Sequence, residues 1–442
     1  MKKNMYSHTE LPDFVKNYLK KFADTHWKIS RDVNKYFSNV VVIPSLAEYE
    51  MLPTCLNSLE KNDEKILNET FVLVVVNNSQ NSDELIKRNN SESIKFLSNY
   101  KGKLNLSFVD ASSLKFALPD KLAGVGLARK IGCDLALTKF DYSSDKKKII
   151  FFLDADCTVR PDYLQTITSA FSKKNLHTAV IEYEHKFDES TPEAEAIICY
   201  EIFLRYHRLG LIYANSYYNY HTIGSTIVCD VESYIKAGGM NKRKAGEDYY
   251  FLEKLAKINK IYTITDTLVY PSSRKSWRVP FGTGQRITRH LARKQNEYVA
   301  YNPKSFDVLK KWLKYFSDEK SVNTKNILSE TEKIHPLLKE FLITNNFQKD
   351  WGKILRNNPS PREIQKQKIF WFDAFRTLKL IHFLRDNSFP NINLFDAVDE
   401  LLKKMKISFP INRNKDIPDI QTQKQYLVFL RNLLREKFSD DN

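Results

Sequence analysis

Short apolar runs alternate with longer helical patterns from about residue 36 to residue 290. Apolar runs of strand length that end in polar or proline residues predict buried strands. The segments with this pattern are 39–45, 71–82, 103–110, 148–156 and 178–187. Pro44 is expected to end the first of them. Strands that alternate with helices predict an α/β fold with a mainly parallel central sheet flanked by helices.

Helical spacing of apolar residues marks most of the remaining chain. Segment 193–213 predicts a long amphipathic helix, with Glu201, Arg205 and Arg208 on its polar face. Beyond residue 290 the strand signal fades and the apolar pattern is helical. We therefore predict three parts, which are an N-terminal helical extension over 1–36, an α/β domain over 37–290 and an α-helical C-terminal domain over 291–442.

The charge of the chain predicts the sign of its partners. The 442 residues include 69 Lys and Arg and 53 Asp and Glu, a net charge of +16. Such a surface attracts anions, so we expect a nucleotide, an anionic acceptor or peripheral contact with a membrane. Nucleic acid is not among the predicted partners, and the sequence leaves the oligomeric state open.

Cysteine spacing and the N-terminal segment bear on the compartment. The cysteines lie far apart and form no CxxC pair, which argues against a zinc knuckle and against a disulfide scaffold. The first residues include two lysines but no apolar core, and no apolar run approaches the roughly 20 residues that span a bilayer. We expect a cytoplasmic protein, with peripheral contact at the inner membrane face left open.

Two aspartates follow the apolar run at 149–153, in and before the stretch FFLDADCTVRPDYL. Asp154 and Asp156 fit a divalent-metal site for a nucleotide diphosphate, because hard cations prefer carboxylate oxygens. With Thr158 they also resemble the first motif of haloacid dehalogenase-type phosphatases, in which the first Asp is the nucleophile. That motif usually opens its domain, whereas several predicted elements precede it here. A polar turn before Pro161 is the third alternative.

Several other stretches, in order, resemble the family 2 glycosyltransferases over about residues 38–290. VVVIPSLAEYE resembles the opening strand and helix of the family, with Pro44 and Glu48 at its Pro and Glu positions. VVVNNSQNS has Asn77 and Asn78 where the family has paired aspartates, and GVGLARKIGCDLAL has Arg129 in place. The segment 223–257 contains a Gly-Gly pair followed by Glu247 and Asp248, which open a helix.

The resemblance implies the nucleotide-binding fold called GT-A and a transferase that uses Mn²⁺ or Mg²⁺ and a nucleotide-diphosphate sugar. Asp156 is then the direct metal ligand, and Asp154 meets the ribose or the metal. Asp248 is the base of an inverting reaction, and Glu247 orients it or the acceptor. The expected donor-binding residues are Pro44, Ser45, Glu48, Asn78, Arg129 and Asp154.

A basic loop follows residue 270 and lacks the histidine that many related enzymes use as a further metal ligand. Its Arg274 and Arg278 are candidates for binding the diphosphate. The contrasting hypotheses are a haloacid dehalogenase-like phosphatase that uses Asp154 and Asp156, and a non-catalytic protein that binds a nucleotide sugar.

Overall fold

A computed structural model describes residues 11–31, 33–275, 282–358, 360–411 and 413–438. Its strands are β1 (Asn39–Ser45), β2 (Thr70–Asn77), β3 (Asn105–Ala111), β4 (Ile149–Phe152), β5 (Thr158–Val159), β6 (Thr178–Tyr183), β7 (Ile227–Asp230), β8 (Tyr262–Tyr270), β9 (Val299–Ala300) and β10 (Ile392–Asn393).

The first group of helices is α1 (Asp13–Phe22), α2 (Leu52–Glu60), α3 (Glu64–Asn68), α4 (Glu84–Ser98), α5 (Val125–Ala136), α6 (Tyr163–Lys173), α7 (Pro192–Tyr213), α8 (Val231–Lys236) and α9 (Glu247–Ala256). The second group is α10 (Thr283–Leu291), α11 (Pro303–Phe316), α12 (Thr324–Ile334), α13 (Pro336–Thr344), α14 (Phe347–Asn357), α15 (Pro361–Trp371), α16 (Ala374–Asn387), α17 (Leu394–Lys404) and α18 (Ile420–Glu436). Among the described residues, no helix is both long enough and apolar enough to cross a bilayer.

The chain divides into two compact units. Of the described residues, the first unit contains 11–187 and 222–285, and the second contains 188–221 and 286–438. Helix α7 therefore belongs to the second unit, although it precedes β7, β8 and α9 of the first unit in the sequence. The predicted domain boundaries at 36/37 and 290/291 stay a prediction.

An eight-stranded sheet forms the centre of the first unit, in the order β3-β2-β1-β4-β7-β6-β8-β5. Strands β1, β2, β3, β4, β6 and β8 run in one direction, and β7 and β5 are antiparallel to their neighbours. Every residue of β1 and β2 is buried, as expected for central strands covered on both faces. The predicted fold class, a mainly parallel α/β sheet flanked by helices with a helical C-terminal region, is confirmed.

The expectation that Pro44 ends the first strand is wrong, since β1 continues to Ser45. The Val42 carbonyl accepts from the Leu153 amide, so the backbone N–H and C=O positions of Val42, and of Pro44 two residues later, are directed toward β4. Pairing with β4 ends at Val42, whereas pairing with β2 continues to Ser45. The N–H that proline lacks would therefore point to a side where the ladder has already ended.

Helix α7 is buried more completely than its predicted polar face implies. Glu201 is 0% exposed, Arg205 is 1% exposed and Arg208 is 5% exposed. The Glu201 carboxylate accepts at 2.8 Å from Arg205 Nε on the same helix and from Arg431 Nε on α18. The polar face is thus paired inside the second unit and not solvated.

Candidate active site

Asp154 and Asp156 lie in a turn after β4, and not on the strand itself as the sequence predicts. The strand ends at Phe152, and the Cys157 amide donates to the Asp154 carbonyl at 3.0 Å to close the turn. The Asp154 and Asp156 side chains are 34% and 21% exposed, whereas Ala155 and Cys157 are buried. Both carboxylates are therefore at the carboxyl edge of the parallel strands, where open α/β sheets bind their ligands.

Arg129 extends from α5 and joins this turn to the acidic start of α9. One guanidinium nitrogen donates to Asp154 at 2.5 Å, and the other contacts Glu247, which lies 118 residues further along the chain. The side chain is 3% exposed. Gly224 makes room for it, because a Cβ at that position would lie 2.6 Å from the guanidinium.

Helix α9 begins with Glu247 and Asp248, directly after a left-handed residue. Gly246 has φ 70°, a conformation that favours glycine. The Asn241 side-chain amide donates to the Glu247 carbonyl at 2.8 Å, which holds the start of the helix. A Cβ at Gly126 would lie 2.4 Å from the Arg243 carbonyl and 3.0 Å from Glu247 Cβ. The glycine therefore allows α5 and the start of α9 to pack closely.

Burial controls the charges of this acidic pair. It raises the pKa of Glu247 to about 7 and raises the pKa of Asp248, while the Arg129 guanidinium opposes both shifts. Desolvation disfavours an ionised carboxylate, and a nearby cation favours it. Asp248 Oδ1 also accepts from the Tyr249 amide at 2.7 Å, so one oxygen of this carboxylate is held at the first turn of α9.

A second arginine connects the loops after β1 and β8 to the aspartate turn. Arg274 Nη2 contacts Glu48, whose side chain is 4% exposed, and lies 3.2 Å from Asp156 Oδ2. Burial raises the pKa of Asp156, and the neighbouring Asp154 charge raises it further. Glu48 and Arg274 were predicted separately from the sequence, and the structure brings them together around Asp156.

The donor set fits a hard divalent cation. Ligand atoms of Asp154, Asp156 and Cys157 lie within 4.8 Å of one another. Two close carboxylates are the ligands that Mg²⁺ and Mn²⁺ prefer. Burial raises the pKa of the Cys157 thiol well above its usual range, and sulfur is a soft ligand that these hard cations do not prefer. Asp154 and Asp156 are therefore the residues that could hold the metal.

The other predicted donor-binding residues lie in a strand, in a loop or outside the described residues. Ser45 is buried at the end of β1, and its Oγ has no hydrogen-bond partner among the described residues. Pro44 precedes it in the same strand. The Asn78 side chain donates to the Ser79 and Ser112 carbonyls and accepts from Asn90 at 2.8 Å, so it joins neighbouring loops. Arg278 lies outside the described residues.

Sequence reasoning missed two groups that support the aspartate turn from α2. The Cys55 thiol donates to the Asp154 carbonyl at 3.6 Å, and Ser58 Oγ accepts from the Val159 amide at 3.1 Å. Both residues are buried on the apolar side of α2. Their side-chain chemistry gives no signal in the sequence, because a small buried Cys or Ser is typical of any helix packed on a sheet.

No family model and no curated protein matches the chain. Among solved structures, the chain is similar to S. aureus TarS residues 1–349 in complex with UDP-GlcNAc, with 15% identity over 76% of this chain and 90% of that one, at a TM-score of 0.39. It is also similar to the mannosyltransferase PcManGT from Pyrobaculum calidifontis in complex with GDP-Man and Mn²⁺, with 14% identity over 84% of this chain and 92% of that one, at a TM-score of 0.37.

Proposed function

We propose that the chain is a glycosyltransferase of the GT-A type, similar to family 2, that moves a hexose from a nucleotide-diphosphate donor to an anionic acceptor. The proposed catalytic domain covers residues 37–290. The reaction is divalent-metal dependent, with Mn²⁺ or Mg²⁺, and proceeds with inversion at the anomeric carbon.

The observation that carries this proposal is that one buried guanidinium contacts a carboxylate from each of two acidic pairs. Arg129 contacts Asp154 of the aspartate turn and Glu247 of α9. Sugar transfer needs a metal site for the diphosphate and a separate base for the acceptor, within reach of one sugar. Two acidic pairs at one edge of the sheet supply both.

On the donor side, Asp156 and Asp154 are the proposed metal ligands. A bound divalent cation would neutralise the charge that develops on the diphosphate leaving group. Arg274 contacts Asp156 in the described structure, so a bound cation would compete with Arg274 for this carboxylate. An arginine in that position could turn to the diphosphate once the metal holds Asp156.

On the acceptor side, Asp248 is the proposed base. An acceptor hydroxyl loses its proton as it attacks the anomeric carbon, and a carboxylate within hydrogen-bond reach accepts it. Burial raises the pKa of Asp248, which makes its carboxylate a stronger base than one in water. Glu247 holds Arg129 beside it and would position the acceptor.

The test is a thermal-shift screen of nucleotide sugars with and without Mn²⁺, followed by transfer and hydrolysis assays. We expect one nucleotide sugar to raise the melting temperature only when Mn²⁺ is present, and Asp156→Ala to abolish this effect. Asp248→Asn should keep the stabilisation and lower turnover by about 10²–10⁴-fold. Proton NMR of the product anomer tests inversion.

Asp266→Asn is the matched control, since Asp266 is an exposed residue of β8. This variant should match the wild type in both assays. If nucleotides have no effect and a simple phosphomonoester is cleaved in a manner that Asp154→Asn abolishes, the chain is a phosphatase and the proposal is wrong. Metal-dependent binding without any turnover would identify a binding protein.

A further inference from the structure

The loop between β3 and α5 presents apolar side chains to water. Leu114 is 90% exposed, Phe116 is 40% exposed and Leu122 is 37% exposed. Single exposed apolar residues are common, but here three of them fall within nine positions of one loop. The loop follows β3, so it lies at the same carboxyl edge of the sheet as the aspartate turn after β4.

Hydrogen bonds hold the backbone of this loop in place. The Asp110 carboxylate accepts from the Ser112 and Ser113 amides, both at 2.9 Å. The His26 ring nitrogen contacts the Lys115 carbonyl at 3.0 Å, and the Trp27 indole donates to the Phe116 carbonyl at 2.7 Å. The polar backbone atoms are thus paired inward, while the Leu114 side chain points outward from a braced turn.

Basic residues surround the apolar ones. Lys115 and Lys121 are exposed on the same loop. Exposed Lys244 lies next to it, because a Cβ at Gly124 would be 2.5 Å from Lys244 Cα. The acidic residue among them, Asp120, is held by the Ser79 hydroxyl and by the Asn81 side chain. These hydrogen bonds and the Lys244 charge lower the pKa of Asp120, so it stays ionised, and the three lysines against this one aspartate leave a net positive charge.

We propose that this loop surface, consisting of Leu114, Phe116, Leu122, Lys115, Lys121 and Lys244, binds the face of a bilayer that contains anionic lipids. A few apolar side chains flanked by lysines match the two attractions that hold a peripheral protein, which are apolar insertion and attraction to acidic headgroups. Single-stranded nucleic acid is less suited, since it stacks on several aromatic rings and Phe116 is the sole aromatic residue of this surface.

Membrane binding through this surface would turn the carboxyl edge of the sheet, with Asp154 and Asp156, toward the bilayer. The inference goes beyond the proposed function and does not depend on it, because it concerns residues outside the acidic site. Its test measures binding to lipid and not catalysis, so the two proposals fail separately.

The experiment is co-sedimentation of the full chain with vesicles of phosphatidylcholine alone or with phosphatidylglycerol added. We expect binding to the anionic vesicles that weakens with added salt. Leu114→Asp should lower the affinity about tenfold or more, because it removes an inserted apolar group and adds a negative charge. The pair Lys115→Glu and Lys121→Glu should lower it by a similar factor and should reduce the salt dependence.

Leu85→Asp is the matched control. Leu85 is 80% exposed at the start of α4, but it follows Asp83 and Glu84, which an anionic surface repels. This variant should bind as the wild type does, and thermal unfolding should show that all variants are folded. No binding to anionic vesicles, equal binding to neutral ones, or an equal loss in Leu85→Asp would overturn the proposal. Binding to an oligonucleotide but not to vesicles would overturn it as well.

Discussion

Arg129 is the residue on which the acidic site depends most directly. Asp154, Glu247 and Asp248 each favour its charge, although burial alone would lower the pKa of the guanidinium. Removing one partner of a buried ion pair costs about 3–5 kcal/mol, because a charge is left without compensation. Arg129→Met should therefore lower the free energy of unfolding by about 3 kcal/mol at neutral pH, measured by urea denaturation.

Arg160→Met is the control for that prediction. Arg160 pairs with Asp162 at 2.5 Å, but the two side chains are 40% and 30% exposed. A pair with this exposure contributes about 0–1 kcal/mol. Equal losses in the two variants would show that the burial of Arg129 has no energetic effect.

The raised pKa of Glu247 predicts how the free energy of unfolding depends on pH. Its pKa in the folded chain is about 7, against an ordinary value of 4.5. The folded state therefore binds more protons than the unfolded state between these values, so the free energy of unfolding falls as pH rises from about 4.5 to 7. Glu247→Gln should remove about 2 kcal/mol of the difference between the free energies of unfolding at pH 5 and pH 7, measured by urea denaturation. An unchanged slope would contradict the assignment.

At the scale of elements, close packing of α5 sets the geometry of the site. A Cβ at Gly126 would lie 2.4 Å from the Arg243 carbonyl and 2.7 Å from the Asn241 carbonyl, both of which are backbone atoms. Gly126→Ala should lower the free energy of unfolding by about 1–3 kcal/mol, because the backbone must shift.

Gly352→Ala is the control, for which the free energy of unfolding should change in the opposite direction. It lies within α14, where an added Cβ meets Arg356 at 3.6 Å, and it should stabilise the chain by about 0.5–1 kcal/mol.

The sequence predicts those strands and helices whose apolar pattern lies within their own residues. The apolar runs of β1, β2, β3, β4 and β6 identify buried strands, and α7 has the predicted bounds to within one residue. The helical pattern beyond residue 290 does not show where one helix ends and the next begins. Helix α15 ends at Trp371, and Asp373 begins α16 by accepting from the Arg376 amide at 2.9 Å. Aspartate caps a new helix when its side chain replaces a missing backbone partner.

Contacts between distant residues could not be predicted in the same way. The sequence identified Glu48 and Arg274 as candidates, but their contact joins residues 226 positions apart. The partner of Glu201 on α18 is 230 positions away. Without that partner, a charged stripe on α7 indicates a solvated face. The fold determines ion pairs of this kind, because the residues around one partner do not show which distant residue will pair with it.

At the scale of the whole molecule, the second unit is built from two separate segments. Helix α7 packs on α11, α17 and α18, and the Cys199 thiol donates to the Glu297 carbonyl at 3.4 Å. A Cβ at Gly210 would lie 2.4 Å from the Phe306 ring, so α7 and α11 are in close contact. Residues 291–442 by themselves lack this buried helix.

The predicted C-terminal domain should therefore not fold as an independent unit. A fragment of residues 291–442 would expose the apolar faces that α7 covers, and we expect it to show helical far-UV circular dichroism without near-UV signal or a cooperative urea transition. Joining 188–221 to 286–438 through a flexible Gly/Ser linker of about 20 residues restores α7 and should restore a cooperative transition. A cooperative transition in the fragment without α7 would contradict the division of the chain into these two units and would favour the boundary at 290/291.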